Sequence, residues 1–588
     1  MLAGLLREAT DQFASGRTVD AVTLCNQILK LSPNDAAALN ISGLGLVMTG
    51  NLKQGIRRLE KAAAALPDDP GITLNLAGAL IRAGRLAAAA CLLKEVLLRQ
   101  PSLAEAHNLM GLAYQDRGLI RRAVACFRRA IACAGDDVNY HENLINALLA
   151  GPYEPEALTV VAAALKKWPA RARFHRQHAT ALRNLGRAAE AVNVCNRALA
   201  AHPGQAALLA ELAEAHADRG EKAAACSAFT AALEREPGNA ATYFGLAKAG
   251  GLDADGPWLD RLRDMAARGA TSPFVFFALA QACEARGETD AAFAHLVQAN
   301  RLERARQGAD IRPALEALRM RAAIFGRALF DRHAGVGFTE AAPIFIVGMP
   351  RSGSTLVEQI LACHSQAAGI GETLDILATA TDHLLSTTGE DPFARLSPAE
   401  RVRRTTTGDG AFFAGLGREI WQIMRAYAPD KPRIADKMLG NFADVGLLRL
   451  ALPGAKVVHC RRGAMDTCFS AFKNYFPGHP WTLDLRDMGR YYRAYEGLMD
   501  HWRRTLPGFV HDVDYDRLTQ HPETEIRALL DFLGLPFEAA CLSPHLSQRS
   551  VKTASRGQVQ QPVYRTSIDN WRRYERHLGP LVKALAGG

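Results

Sequence analysis

The sequence predicts two architectures in one chain: an all-helical repeat solenoid, then an α/β domain with a mostly parallel sheet. Three observations predict them. Prolines stand at Pro33, Pro67, Pro101, Pro169, Pro203 and Pro237, a spacing of 34 with one gap of 68 where Gly135 takes the missing place. From Ala342 onward, short apolar runs alternate with helical segments instead. At that change lies Ile344-Phe345-Ile346-Val347-Gly348-Met349-Pro350-Arg351-Ser352-Gly353-Ser354-Thr355-Leu356, which reads as a buried strand, a small-residue loop and a helix.

The repeat half comes first. Gly16, Gly50, Gly84, Gly118, Gly186 and Gly220 form a second series at 34, and Pro152 beside Gly151 takes the fifth place. Each unit is two short helices: the glycine closes the first, and the proline sits past the second. Small residues (Gly43, Ala77, Gly111, Ala179 and Ala213, then Ala89, Ala123, Ala191 and Ala225) mark where the helices cross. Leu39, Tyr114, Phe127 and Phe229 fill the space around them. One such unit cannot bury its own apolar face, so the units must stack. The pattern resembles the tetratricopeptide repeat family over about seven units, residues 2–239, without that family's first-position tryptophan. The resemblance implies a concave surface that holds a protein or peptide. Bracing of the second half and homodimerisation are the alternative uses.

Regularity falls off afterwards. Residues 250–257 read as a loop, Pro273 to Ala305 as a helix pair turning at Gly287, and residues 306–335 as one more Arg-rich helix. The expected division is 1–240 for the regular array, 241–335 for altered repeats and a connecting helix, and 336–588 for the α/β domain.

Length and composition bound the class. A chain of 588 residues suits two to four units, and 48% apolar with 22% charged residues is ordinary for a globular protein. A net charge of +10 permits an anionic ligand. No basic run with interleaved aromatics precedes the C-terminus, which argues for a solvated surface over nucleic-acid binding. Eleven cysteines stand singly, without a CxxC pair, as expected of a reducing compartment. Met1 to Phe13 carries Glu8 and Asp11 and no apolar core segment, and no membrane-spanning run follows. The expected location is the cytoplasm, without membrane insertion.

In the second half, strands are expected at Ile344–Val347, Pro432–Ala435, Lys456–Cys460 and Phe509–Val513. Helices are expected at 355–363, Phe442–Leu452, Asp466–Phe472 and Glu523–Leu533. Ligands of such a sheet gather at the strand C-termini. The first loop aims backbone N–H groups and a helix N-terminus, capped by Ser354 or Thr355, at one anion. Arg351 adds a fixed charge. Gly348 and Gly353 have the spacing of the nucleotide loop GxxxxGK[ST], but Ser354 fills the lysine place, which weakens any grip on a γ-phosphate.

The Pro-Arg-Ser-Gly-Ser-Thr loop resembles the sulfotransferase loop that binds the 5′-phosphosulfate of 3′-phosphoadenosine 5′-phosphosulfate (PAPS). Arg462 and Ser470, eight residues apart after a strand, resemble that family's pair for the nucleotide 3′-phosphate, with Arg461 as the ambiguous alternative. The nearest likeness is to tyrosylprotein sulfotransferases and to bacterial proteins that join tandem repeats to such a domain. Glu372 in Gly371-Glu372-Thr373 matches the position of their catalytic glutamate, and Lys437 in Asp436-Lys437-Met438 that of their catalytic lysine. Residues 558–571, with Tyr564 and Arg565, resemble their C-terminal cofactor-covering segment, but Asp569 stands where they have a serine.

The resemblance implies sulfuryl transfer from PAPS, without a metal, to an unidentified acceptor: a peptide tyrosine, a sugar or a small-molecule hydroxyl. Glu372 would take the acceptor proton. Lys437 and Arg351, with the N–H groups of Ser352, Gly353, Ser354 and Thr355, would stabilise the developing charge. Arg462 and Ser470 would hold the nucleotide. His364 reads as a helix C-terminal cap; His459 and His479 are reserve bases. The rival readings are a repeat scaffold with an inactive nucleotide domain and a P-loop kinase or other phosphotransferase.

Overall fold

The computed structural model describes residues 2–252, 256–394, 396–546 and 569–587. They form two compact units, Met1–Gly151 with Glu390–Arg395, and Pro152–Gly389 with Leu396–Gly588.

The first unit is a stack of antiparallel helix pairs. Two of its helices matter below, α1 (Ala104–Asp116) and α2 (Ile120–Cys133). The turn between paired helices is made by a glycine in the left-handed region, with φ of 81° at Gly16, 91° at Gly50, 69° at Gly84 and 80° at Gly118. Helix crossings are as tight as the small residues implied. A Cβ on Gly43 would lie 2.8 Å from Leu59, and one on Gly111 would lie 2.6 Å from the Phe127 ring. Half-buried asparagines pair across neighbouring first helices, Asn75 to Asn40 at 3.0 Å and Asn143 to Asn108 at 2.9 Å. Where Pro152 replaces the glycine of the series, the preceding helix ends on Gly151 in extended backbone (φ −121°) rather than in a left-handed turn.

The second unit continues with helix pairs from Glu154 to Arg235 on the same pattern, then altered pairs. Gly287 (φ 76°) turns the pair Pro273–Ala285 and Thr289–Gln307. The single helix expected over 306–335 is instead two, Arg312–Ile324 and Arg327–Arg332. Gly308 (φ 59°) ends the preceding helix, and Phe325 turns inward against Trp502, with Gly326 entering the next helix in extended backbone.

The α/β part holds five parallel strands: β1 Ile344–Gly348, β2 Ala367–Gly369, β3 Arg433–Asp436, β4 Lys456–Arg461 and β5 Val510–Asp514. Their order is β2-β3-β1-β4-β5. β1 is central and wholly buried, and its side chains alternate between two cores. Ile344 and Ile346 face α3 (Ser354–Ala362), packing with Val357, Ile360 and Leu361. Phe345 and Val347 face the opposite core, which contains Trp502 and Met499. The helix expected from Phe442 to Leu452 begins as a 3₁₀ turn, Leu439–Asp444, and becomes α-helical only over Val445–Ala451. α4 (Ala464–Phe472) follows β4, and α5 (Leu485–Thr505) precedes β5. No described helix is long and apolar enough to cross a membrane.

Candidate active site

The loop after β1 is a strained turn. Gly348 (φ 146°), Arg351 (φ 73°) and Gly353 (φ 92°) all have positive φ. The first and last need glycine for space as well: a Cβ on Gly348 would lie 2.6 Å from the Cys460 carbonyl oxygen, and one on Gly353 would lie 2.3 Å from the Tyr515 ring. Arg351 is not a glycine, so its left-handed backbone costs about 1–3 kcal/mol, and such strain gathers at functional turns. Its side chain is held in return, Nε donating to Ser470 Oγ at 2.9 Å.

Ser354 and Thr355 do not cap α3 as expected. Gly353 is the N-cap residue, no side chain caps the helix, and both hydroxyl residues lie inside its first turn. The helix start therefore keeps N–H groups for an external acceptor. Ser352 Oγ is buried and has no hydrogen-bond partner within the described structure. A buried hydroxyl left in that state is costly and fits an anion seated in the loop.

The C-terminal ends of the strands supply the other groups. Arg462, just past β4, donates from Nη1 to the Arg351 carbonyl at 3.3 Å and packs its guanidinium over Tyr515, which follows β5. Asp466 of α4 stands 3.6 Å from Arg462 and accepts the backbone N–H of Asp569 at 3.2 Å. Burial raises the Asp466 carboxyl pKa. Arg351, Arg462 and Ser470, separated by more than a hundred residues of chain at the widest, thus form one hydrogen-bonded group.

At the end of β3, Lys437 is buried and its Nζ pairs with Glu372 at 2.7 Å and lies 3.7 Å from Glu358. Glu372 itself is half-exposed, so its carboxylate reaches solvent while its counter-ion does not. Asp436 is fully buried and ties the two halves together. Its Oδ1 accepts the N–H groups of Thr373 (3.1 Å) and Leu374 (3.0 Å), and its Oδ2 accepts that of Met438 at 3.1 Å. Burial pushes its pKa up to about 7 despite those donors. Asp436-Lys437 is therefore an internal assembly and not a surface ion pair.

Glu358, Asp436, Asp466 and Tyr515 were not among the residues expected from sequence. Glu358 had a usable signal: it lies four residues after Ser354, on the same face of α3. Two of the three candidate histidines, His364 and His459, are engaged elsewhere. His364 does not cap its helix; its Nε2 bonds the Pro536 carbonyl at 2.9 Å. His459 is buried between Asp512, 2.6 Å from Nδ1, and the Tyr495 hydroxyl. Burial lowers the His479 pKa, with Glu372 and Asp375 opposing the shift. Tyr564 and Arg565 lie outside the described residues. Among the described residues, no group of three His, Cys, Asp or Glu could hold a metal ion.

The sulfotransferase family profile matches residues 343–539, and tetratricopeptide repeat profiles match residues 46–113 and, in three overlapping stretches, 108–240. The chain carries a sulfotransferase-family domain joined to tetratricopeptide repeats. The matched sulfotransferase stretch contains the loops after β1 and β4 and the Glu372–Lys437 pair. An uncharacterised protein of Aquifex aeolicus is 34% identical over 322 residues, which are 53% of this chain and 41% of that protein. Protein-tyrosine sulfotransferase A of Caenorhabditis elegans is 25% identical over 244 residues, 40% of this chain and 62% of its own length. The matched stretches thus span less than two thirds of either relative. Among solved structures, a tetratricopeptide repeat protein from Parabacteroides merdae is similar over 42% of this chain and 97% of its own, at 16% identity and a TM-score of 0.36.

Proposed function

We propose that this sulfotransferase domain moves a sulfuryl group from PAPS to a hydroxyl acceptor, with a protein tyrosine as the favoured class, and that the repeat array recruits the protein or peptide partner. In this reading residues 1–240 are the recruiting array, 241–335 connect it, and 336–588 act. The observation that carries the reading is the convergence of Arg351, Arg462 and Ser470 beside an uncapped helix start and the orphan Ser352 hydroxyl. That group offers donors for two separate anionic centres, as a 3′,5′-substituted nucleotide requires. The place of the γ-phosphate lysine is held by Ser354, which speaks against a kinase.

When bound, PAPS supplies the sulfuryl group. The loop N–H groups, Arg351 and Ser352 bind its 5′ end, and Arg462 with Ser470 holds the 3′-phosphate; Tyr564 and Arg565 belong to the covering segment. Glu372 takes the proton of the acceptor hydroxyl at its solvent-facing carboxylate. Lys437, paired with Glu372 in the resting state, turns its charge to the transferring group. Glu358 beside Lys437 prevents that lysine from being a lone buried cation while it does so. The likeness to protein-tyrosine sulfotransferases favours tyrosine among the acceptors.

Calorimetric titration separates the readings. Adenosine 3′,5′-bisphosphate binds and ATP with magnesium does not; the reverse result would remove the proposal. Glu372→Gln keeps the bisphosphate affinity and loses about 10²- to 10⁴-fold in sulfate transfer from PAPS to acceptors in a lysate. Unchanged transfer in that variant would retire Glu372 as the base.

A further inference from the structure

The rim of the first unit contains a seat for an aromatic side chain. Tyr114, near the end of α1, is 9% exposed, and the ring of Phe393 stacks on it with centroids 5.1 Å apart and planes 18° from parallel. Phe393 comes from the short segment Glu390–Arg395 that belongs to this unit, and it is 6% exposed. Arg117, at the end of α1, donates from Nη2 to the Ala394 carbonyl at 2.8 Å. The Arg122 guanidinium stands 5.9 Å from the centre of the Tyr114 ring. The segment is itself a tight turn, in which the Phe393 N–H donates to Asp391 Oδ1 at 3.1 Å and the Ala394 N–H to the Asp391 carbonyl at 3.2 Å.

Charge and space point the same way. α2 carries Arg121, Arg122, Arg128 and Arg129 and no carboxylate. The seated segment brings Glu390 and Asp391 directly before its aromatic residue. Asp391 is close enough to Tyr114 to add to the rise in its hydroxyl pKa, which burial dominates. Beside Phe393 lies a cavity of about 400 Å³, lined by Arg85, Leu86, Ala87, Ala88 and Arg117. The seat reads a flat ring, one backbone carbonyl and negative charge, and none of these is peculiar to residues 390–394.

We infer that this rim is a docking site for an acidic peptide bearing an aromatic side chain, and that the chain's own segment Glu390–Ala394 fills the site until such a peptide displaces it. The inference rests on the peptide-receiving role proposed for the array and names the place and the chemistry. Stacking supplies the anchor, the Arg117 contact fixes the backbone, and Arg122 beside the Tyr114 ring puts positive charge next to the acidic flank. The neighbouring apolar and cationic cavity gives a longer peptide further room.

The test is fluorescence anisotropy on the full chain, with a labelled peptide of the sequence of residues 389–395 as probe. Phe393→Ala, which empties the seat, is expected to bind the probe at least ten-fold more tightly than the wild type. Adding Arg117→Ala or Tyr114→Leu to Phe393→Ala abolishes that gain, and a probe with its phenylalanine replaced by alanine does not bind. An unchanged helical circular-dichroism signal with an unchanged thermal unfolding profile reports that each chain is folded, and Arg117→Ala keeps the test sound if Tyr114→Leu is not. Equal affinity of wild type and Phe393→Ala, or a gain that survives loss of Tyr114 or Arg117, overturns the inference. Probe binding that ignores all three residues refutes this site while leaving a peptide-receiving array elsewhere intact.

Discussion

At the scale of single residues, Arg462 is the position on which the proposed anion site turns. Its side chain is 8% exposed, and it touches the Arg351 backbone, Asp466 and the Tyr515 ring. A buried guanidinium beside Asp466 and a strained loop can offer paired donors to a dianion. Arg462→Ala removes that cation and leaves Asp466 buried without it. Truncating a charge that pairs with a bound anion costs about 2–5 kcal/mol, so in the proposed site bisphosphate affinity should fall by well over ten-fold in calorimetric titration. Arg462→Lys restores the charge without the fork and should recover only part of it. Equal affinities for wild type and Arg462→Ala would move the second anion contact to Arg461.

At the scale of elements, the repeat helices are held at a separation that only small residues permit. Gly111 on α1 meets the face of Phe127 on α2. Gly111→Ala forces a methyl into that ring, and overpacking of this kind costs about 1–3 kcal/mol. Phe127→Leu opens the space but leaves a void, at a similar cost on its own. The double variant should be less destabilised than the sum of the two, measured by denaturant midpoint; strict additivity would mean that the two residues do not share the crossing. This packing was readable in advance because a 34-residue period repeats the same contact many times. The central strands were readable too, since Ile344 to Val347 and Lys456 to Cys460 are apolar and β-branched. β2 was not: Ala367–Gly369 consists of two alanines and a glycine, and becomes a strand only by pairing with β3. In the candidate site, residues on the loops with distinctive small-residue or paired-charge patterns could be found. Glu358 had its spacing from Ser354 on α3 as a signal; Asp436 and Tyr515 could not be found, because what brings them in is the side-by-side order β3-β1-β4-β5, which no local pattern encodes.

At the scale of the whole molecule, buried ionisable groups set opposing dependences of stability on pH. Burial lowers the pKa of His178, His295, His459, His479 and His511. As pH falls below about 6.5, the unfolded chain protonates these histidines while the folded chain resists, so they withdraw stability on acidification. His459 is the most enclosed, with Asp512 at Nδ1, Tyr495 at Nε2, and Arg503 and Arg461 opposing its charge. Asp436 acts in the other direction. Its folded pKa of about 7 lies above the ordinary carboxyl value, so between about pH 7 and pH 4 the folded state takes up a proton that the unfolded state does not. Acidification through that window therefore adds stability. His459 and Asp436 each contribute at most about 1.4 kcal/mol per pH unit, with opposite signs, and two variants should separate them. His459→Gln makes the change in unfolding free energy from pH 7.5 to 5.5 more favourable than in the wild type, and Asp436→Asn makes it less favourable. Denaturant melts at the two pH values read both, each variant being compared with itself so that its constant cost drops out. Parallel profiles for all three chains would mean that neither group titrates in the folded state over this range. A tilt of the Asp436→Asn profile alone would assign the control to the carboxylate that joins the Glu372 loop to Lys437, and would make the geometry of that pair itself sensitive to pH near neutrality.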